Sequence, residues 1–105
     1  MSNIQLVFCN VPTFDIAQDI ASQLLAKRLC ACVNILPKVT SLYLWEGKIV
    51  EDNEVALLLK TTCDKYSHLE SFLKELHPYE IPEIIALDIQ NGLLDYLNWV
   101  QQTVV

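Results

Sequence analysis

The sequence predicts an α+β fold built on one antiparallel sheet, and three observations carry that reading. Residues 41–62 form a long β-prone segment broken only at Gly47, the pattern of a single extended hairpin. Before and after it, two stretches repeat apolar residues at helical spacing, Ile16, Ile20 and Leu24 in one and Leu69, Phe72, Leu73 and Leu76 in the other. Each is flanked by β-prone runs. The chain has only two glycines, Gly47 and Gly92, so each marks a turn that the backbone requires.

Taken in order, Ile4 to Cys9 is the first strand, closed at Asn10-Val11-Pro12 because proline lacks the N–H that a ladder needs. Thr13 is placed to cap a helix over 13–29, with Ala17, Ala21 and Leu25 beside its apolar stripe. Lys27 and Arg28 fall in its last turn, where the dipole favours cations. Cys32-Val33-Asn34-Ile35-Leu36 is β-prone and runs into Pro37, read as a bend or bulge before the strand resumes at Val39. The hairpin follows. After Thr62, Asp64 or a neighbour caps a second helix, and Pro78 ends it at His77. Ile84 to Ile89 is an apolar strand with one acid, predicted to be buried on most sides. Asn91-Gly92 turns the chain into a last helix carrying Leu93, Leu94, Tyr96, Leu97, Trp99 and Val100. The order β-α-β-β-α-β plus a terminal helix is that of ferredoxin-like sheets, with helices on one face.

A hairpin arm of about twelve residues at roughly 3.3 Å each spans about 40 Å. A compact domain of this size has a radius of gyration of only ~13 Å. Part of the hairpin should therefore overhang its core, with Leu42 and Leu44 on one face and Tyr43 and Trp45 on the other. An apolar overhang is an aggregation hazard as a bare edge, and a closed symmetric homo-oligomer removes it.

Composition narrows the function. The 105 residues, 52% hydrophobic and 19% charged, fit one domain over 1–105. A net charge of −6, with Lys27-Arg28 the only basic pair, argues against nucleic acid as a partner. No apolar run approaches the length of a membrane span and no leader-like pattern opens the chain, so the expectation is a cytoplasmic protein without a membrane partner. Four cysteines, Cys9, Cys30, Cys32 and Cys63, are then expected to be reduced, Cys30 and Cys32 as ordinary packing. No phosphate loop or dinucleotide fingerprint occurs, and no nucleophile has an evident orienting partner, so the chain does not read as an enzyme.

The segment His77-Pro78-Tyr79-Glu80-Ile81-Pro82-Glu83 concentrates polar groups between two prolines. A stiff loop of this kind holds His77, Tyr79, Glu80 and Glu83 close together, as binding loops do. Equally, the prolines only end a helix and start a strand, with Tyr79 packed at a subunit boundary. Trp45, Glu46, Lys48 and Glu51, at the hairpin tip with Tyr43, are read as inter-subunit or cleft contacts.

These residues also resemble the divalent-cation tolerance proteins called CutA. The resemblance runs through Cys9-Asn-Val-Pro12, Ala17 to Leu29, Cys30-Ala-Cys32-Val-Asn-Ile, Ser41-x-Tyr-x-Trp-Glu-Gly-Lys-Ile49, Glu54 to Thr61, His77-Pro-Tyr-Glu-Ile-Pro-Glu83 and Tyr96-Leu-x-Trp99. It implies a ferredoxin-like homotrimer similar in architecture to the PII signalling proteins, and a link to tolerance of copper and other divalent metals. The metal ligands it implies are Cys9 and His77; Leu76 stands where some members carry a second histidine. Thiolate and imidazole suit copper, which outcompetes other first-row divalent ions at most such sites. Glu80, Glu83 and Tyr79 would stand nearby. The other reading is that Cys9 is a buried strand residue and His77 bonds a backbone carbonyl. Two functions follow: a trimer binding Cu2+ or another divalent metal, or a PII-like signalling or adaptor trimer holding a small ligand or protein partner at inter-subunit clefts.

Overall fold

The computed structural model describes residues 2–105, in the order β1 (Ile4–Val11), α1 (Phe14–Ala26), β2 (Cys32–Trp45), β3 (Lys48–Thr62), α2 (Tyr66–Leu76), β4 (Ile84–Asp88) and α3 (Leu94–Thr103). The strands form one sheet in the order β2-β3-β1-β4, every neighbouring pair antiparallel. This is the predicted ferredoxin-like arrangement.

Strand alternation divides the residues between two faces. Val7, Cys9 and Val11 of β1 and Val55, Leu57 and Leu59 of β3 meet Ala17, Ile20 and Leu24 of α1 and Leu69 and Leu73 of α2 in the main core. Ile4, of opposite parity, belongs to a smaller cluster with Ala31, Val100 and Val104, where α3 packs. Helix α3 covers only that end. Tyr96 and Trp99 are about half exposed and Leu93 and Leu94 more so, leaving much of its apolar circumference uncovered.

Several boundaries follow the sequence reading for the physical reasons given. The Thr13 hydroxyl accepts the Ile16 N–H at 3.2 Å, satisfying one of the free donors that open α1. The strand register slips between Leu36 and Val39 across Pro37, and Lys38 takes φ 63°: one extra residue enters β2 as a bulge. At the hairpin tip Trp45 pairs with Lys48, leaving a two-residue turn, Glu46-Gly47, with φ 51° and 77°. Positive φ at both positions matches the right-handed twist of the arms.

Other boundaries differ. Helix α1 ends at Ala26 rather than 29, since Arg28 turns left-handed at φ 57°. The Arg28 N–H then returns to Leu25 O and the Leu29 N–H to Leu24 O, the crossed pair of a Schellman stop. Lys27 and Arg28 thus lie beyond the last turn, and the Lys27 ammonium sits 4.8 Å from the centre of the Phe72 ring. Asp64 does not cap α2; it lies in a 3-10 turn, Cys63–Lys65, and no side chain caps the helix. Nor is β4 buried on most sides. It is the edge strand, paired only with β1, and Leu87 is 62% exposed.

The overhang is present. The molecule measures 44 × 26 × 23 Å, and Leu44 and Ile49, paired across the hairpin, are 74% and 76% exposed. Among the described residues no helix is long and apolar enough to cross a membrane.

Candidate functional site

A cleft of about 560 Å³ opens where the hairpin passes the end of β1 and the loop 77–83. The hairpin register explains its far wall. Tyr43 pairs with Val50 and Ser41 with Asp52, and cross-strand partners share a face. Tyr43 and Trp45 therefore stand on the same side as Val50, Asp52 and Glu54, and all five line the cleft. Leu42, Leu44, Ile49 and Glu51 point to the other side.

The near wall is built on Asn10. Pairing between β1 and β4 stops at Cys9–Ile84, so Asn10 has no ladder partner on that side. Its carbonyl instead accepts from His77 Nε2 at 2.7 Å. His77 Nδ1 accepts the Tyr79 N–H at 3.1 Å, which fixes the proton on Nε2. The imidazole therefore staples the loop 77–83 to β1. Burial holds its pKa below the usual 6.5, against opposing pulls from the Asn10 carbonyl and Glu54. The Asn10 side chain donates from Nδ2 to Glu83 Oε1 at 3.0 Å. Its Oδ1, buried, has no partner among the described residues.

Two phenols hold two acids. Tyr79 Oη donates to Glu54 Oε2 at 2.8 Å, and Tyr43 Oη to Asp52 Oδ2. Hydrogen bonding to Asp52 raises the Tyr43 pKa, while burial, then the bond to Glu54, raises that of Tyr79. Both phenols thus stay protonated donors.

Cys9 is completely buried, and its thiol donates weakly to the Asn10 carbonyl at 3.8 Å. Burial, with the charges of Glu83 and Glu54, pushes its pKa up to about 12. Cys9, His77 and Glu83 thus each touch Asn10, Cys9 and His77 at its carbonyl and Glu83 at its side chain. Cys9, however, belongs to the core beneath α1 and α2, and only Glu83 of the three lines the cleft, with Glu80 exposed at the rim. Tyr43, Trp45 and Tyr79 line the cleft; Glu46 and Lys48 stay outside it at the hairpin turn. The sequence reading did not single out Asn10, Asp52 or Glu54 as site residues. The signal for the two acids was present in β3, where 50, 52 and 54 alternate onto the face of Tyr43 and Trp45.

For a divalent ion the oxygen donors fit better than the soft ones. Asn10 Oδ1 is unpartnered and Glu83 accepts through one oxygen, but Cys9 keeps its proton and both His77 nitrogens are engaged. Among the described residues no group of three or more His, Cys, Asp or Glu side chains is placed to hold a metal.

Residues 5–103 match the family described as CutA1 divalent ion tolerance protein. The chain belongs to this family. The divalent-cation tolerance protein CutA of Thermus thermophilus is 46% identical over 98 residues, which are 93% of this chain and 95% of that protein. A solved CutA1 structure from the same organism superposes with a TM-score of 0.95 at 44% identity, covering 97% of this chain and 99% of that one. CutA from Xylella fastidiosa gives 0.96 at 38% identity, covering 99% and 100%. The family is described by tolerance of divalent ions, and that description ties this chain to divalent metals.

Proposed function

We propose that the protein is a cytoplasmic homotrimer that contributes to divalent-cation tolerance by binding the ion, copper foremost, without catalysing a reaction. The observation that supports the metal reading is the acidic cleft wall, where Glu83 and the unpartnered Asn10 amide oxygen stand together while Cys9 and His77 lie behind them on the Asn10 carbonyl. Glu83 and the Asn10 amide oxygen would meet the ion first, with Glu80 at the rim. Cys9 and His77 would join only by giving up a proton and the Tyr79 N–H respectively, so binding should strengthen as pH rises. Copper is favoured because first-row affinities peak there for oxygen, nitrogen and sulfur donors alike. The trimer is supported by the exposed apolar overhang, the open edge strand β4 and the uncovered faces of α3. An oligomer also offers donors that one protomer does not bring together.

Native mass spectrometry with and without Cu(II) tests both parts. The expected result is a trimer that takes up copper in wild type and, in Glu83→Gln and Cys9→Ser, loses at least about tenfold in affinity, the usual scale for removing groups at a metal site. Equal copper loading of all three proteins would eliminate this site. A stable monomer at micromolar concentration would eliminate the trimer.

A second reading is favoured by one observation. The cleft volume of about 560 Å³ lies in the range of small-molecule pockets and far exceeds what one ion fills. In that reading the trimer signals or adapts by holding a small ligand, and effects of metal are indirect.

A further inference from the structure

We propose that the cleft takes a small organic ammonium ion, its charged nitrogen at Asn10, Glu83 and Glu54 and its apolar body against Tyr43, Trp45 and Ile81. The inference rests on the second reading above and names the ligand class for it.

Charge is the first argument. Asp52, Glu54, Glu80 and Glu83 line the cleft, and no Lys, Arg or His does. A phosphate or carboxylate ligand would enter against four acids with no counter-charge from this protomer. A cation would be drawn in.

Hydrogen-bond inventory is the second and independent argument. Asn10 is 6% exposed, its Nδ2 is committed to Glu83, and its buried Oδ1 accepts from no group among the described residues. An unpaired acceptor in such a place calls for a donor. An ammonium has three N–H donors and no acceptor, a match to the Asn10 oxygen and the flanking Glu83 and Glu54 carboxylates. Tyr79 has already oriented Glu54 through one oxygen.

Shape is the third. A bare divalent ion needs several converging donors and no apolar wall, yet Tyr43, Trp45 and Ile81 remain substantially exposed at the cleft. Aromatic faces beside carboxylates suit a cation carrying hydrocarbon, through cation–π attraction and burial of the apolar part.

The test is calorimetry on the intact oligomer with three isosteric probes, 2-phenylethylamine, 2-phenylethanol and phenylacetate, with Cu(II) titrated in parallel. The amine is expected to bind and the alcohol to bind at least about tenfold more weakly, the loss that follows when charged acceptors go unpaired. The anion is expected not to bind. Glu83→Gln and Ile81→Ala should each weaken the amine while native mass spectrometry shows the same assembly as wild type. Preference for phenylacetate over the amine would overturn this inference and leave the small-ligand reading standing. Binding of copper with none of the organic probes would overturn both. Amine affinity unchanged in Glu83→Gln and Ile81→Ala would place the amine elsewhere and likewise overturn it.

Discussion

Replacing Leu57 by Ala is expected to cost about 2–5 kcal/mol of stability, the range for truncating a large aliphatic side chain in a packed core. Leu57 is completely buried. It sits on β3, an interior strand, paired with Cys9 of β1 on one side and Ile35 of β2 on the other. Its side chain joins the cluster beneath α1 and α2, where neighbours fixed by two ladders have little freedom to collapse into the space. A domain of this size has roughly 5–15 kcal/mol in total, so a large share would vanish. The measurement is the urea midpoint, with Leu44→Ala as comparison. Leu44 is 74% exposed, and in an isolated protomer its truncation should change stability by less than about 0.5 kcal/mol. In a trimer whose hairpins cover one another, Leu44→Ala should instead lower the midpoint in a concentration-dependent way, because association and folding are then linked. A Leu57→Ala midpoint within error of wild type would contradict the core described here.

The sequence made the elements legible wherever one residue dictates backbone geometry. Thr13 before an apolar period, Pro37 inside a β-prone run and Gly47 between two arms each have one economical solution, and the chain adopts it. Boundaries set by context were less visible. Nothing in Lys27-Arg28-Leu29 announces that a non-glycine residue will turn left-handed, because the stop is selected by where Leu29 and Cys30 must go to join the core. Strand β4 misled for a related reason. A run of Ile84, Ile85, Ala86 and Leu87 signals burial somewhere, but the sequence does not say whether the cover comes from the same protomer. The site was half visible: Tyr79 and Glu83 were drawn from the stiff loop and Tyr43 and Trp45 from the hairpin. Asn10 stayed hidden because its importance comes from β4 starting one residue too late to pair with it, a fact of register alone.

That same register makes His77 a pH-sensitive point of the fold. Burial lowers its folded pKa below the ordinary 6.5, so between the two values the unfolded chain binds more protons than the native protein. Stability therefore rises with pH across that window. It is fully present above pH 6.5 and is lost as pH falls towards the folded value. The structural event is specific: protonated Nδ1 becomes a donor facing the Tyr79 N–H, and two donors replace a hydrogen bond. The loop 77–83 should then loosen from β1, and with it the Tyr79–Glu54 contact in the cleft wall. Urea denaturation at pH 8 and pH 5.5 should show a drop in wild type and in His68→Gln, whose parent side chain is exposed on α2, but a smaller drop in His77→Gln. At pH 8, His77→Ala strands the Tyr79 N–H and leaves the buried Asn10 carbonyl only the weak Cys9 thiol donor, at about 1–3 kcal/mol for a group left unsatisfied. An equal loss between pH 8 and 5.5 in wild type and His77→Gln would mean that another group drives the acid sensitivity and that the staple is not what the proton breaks.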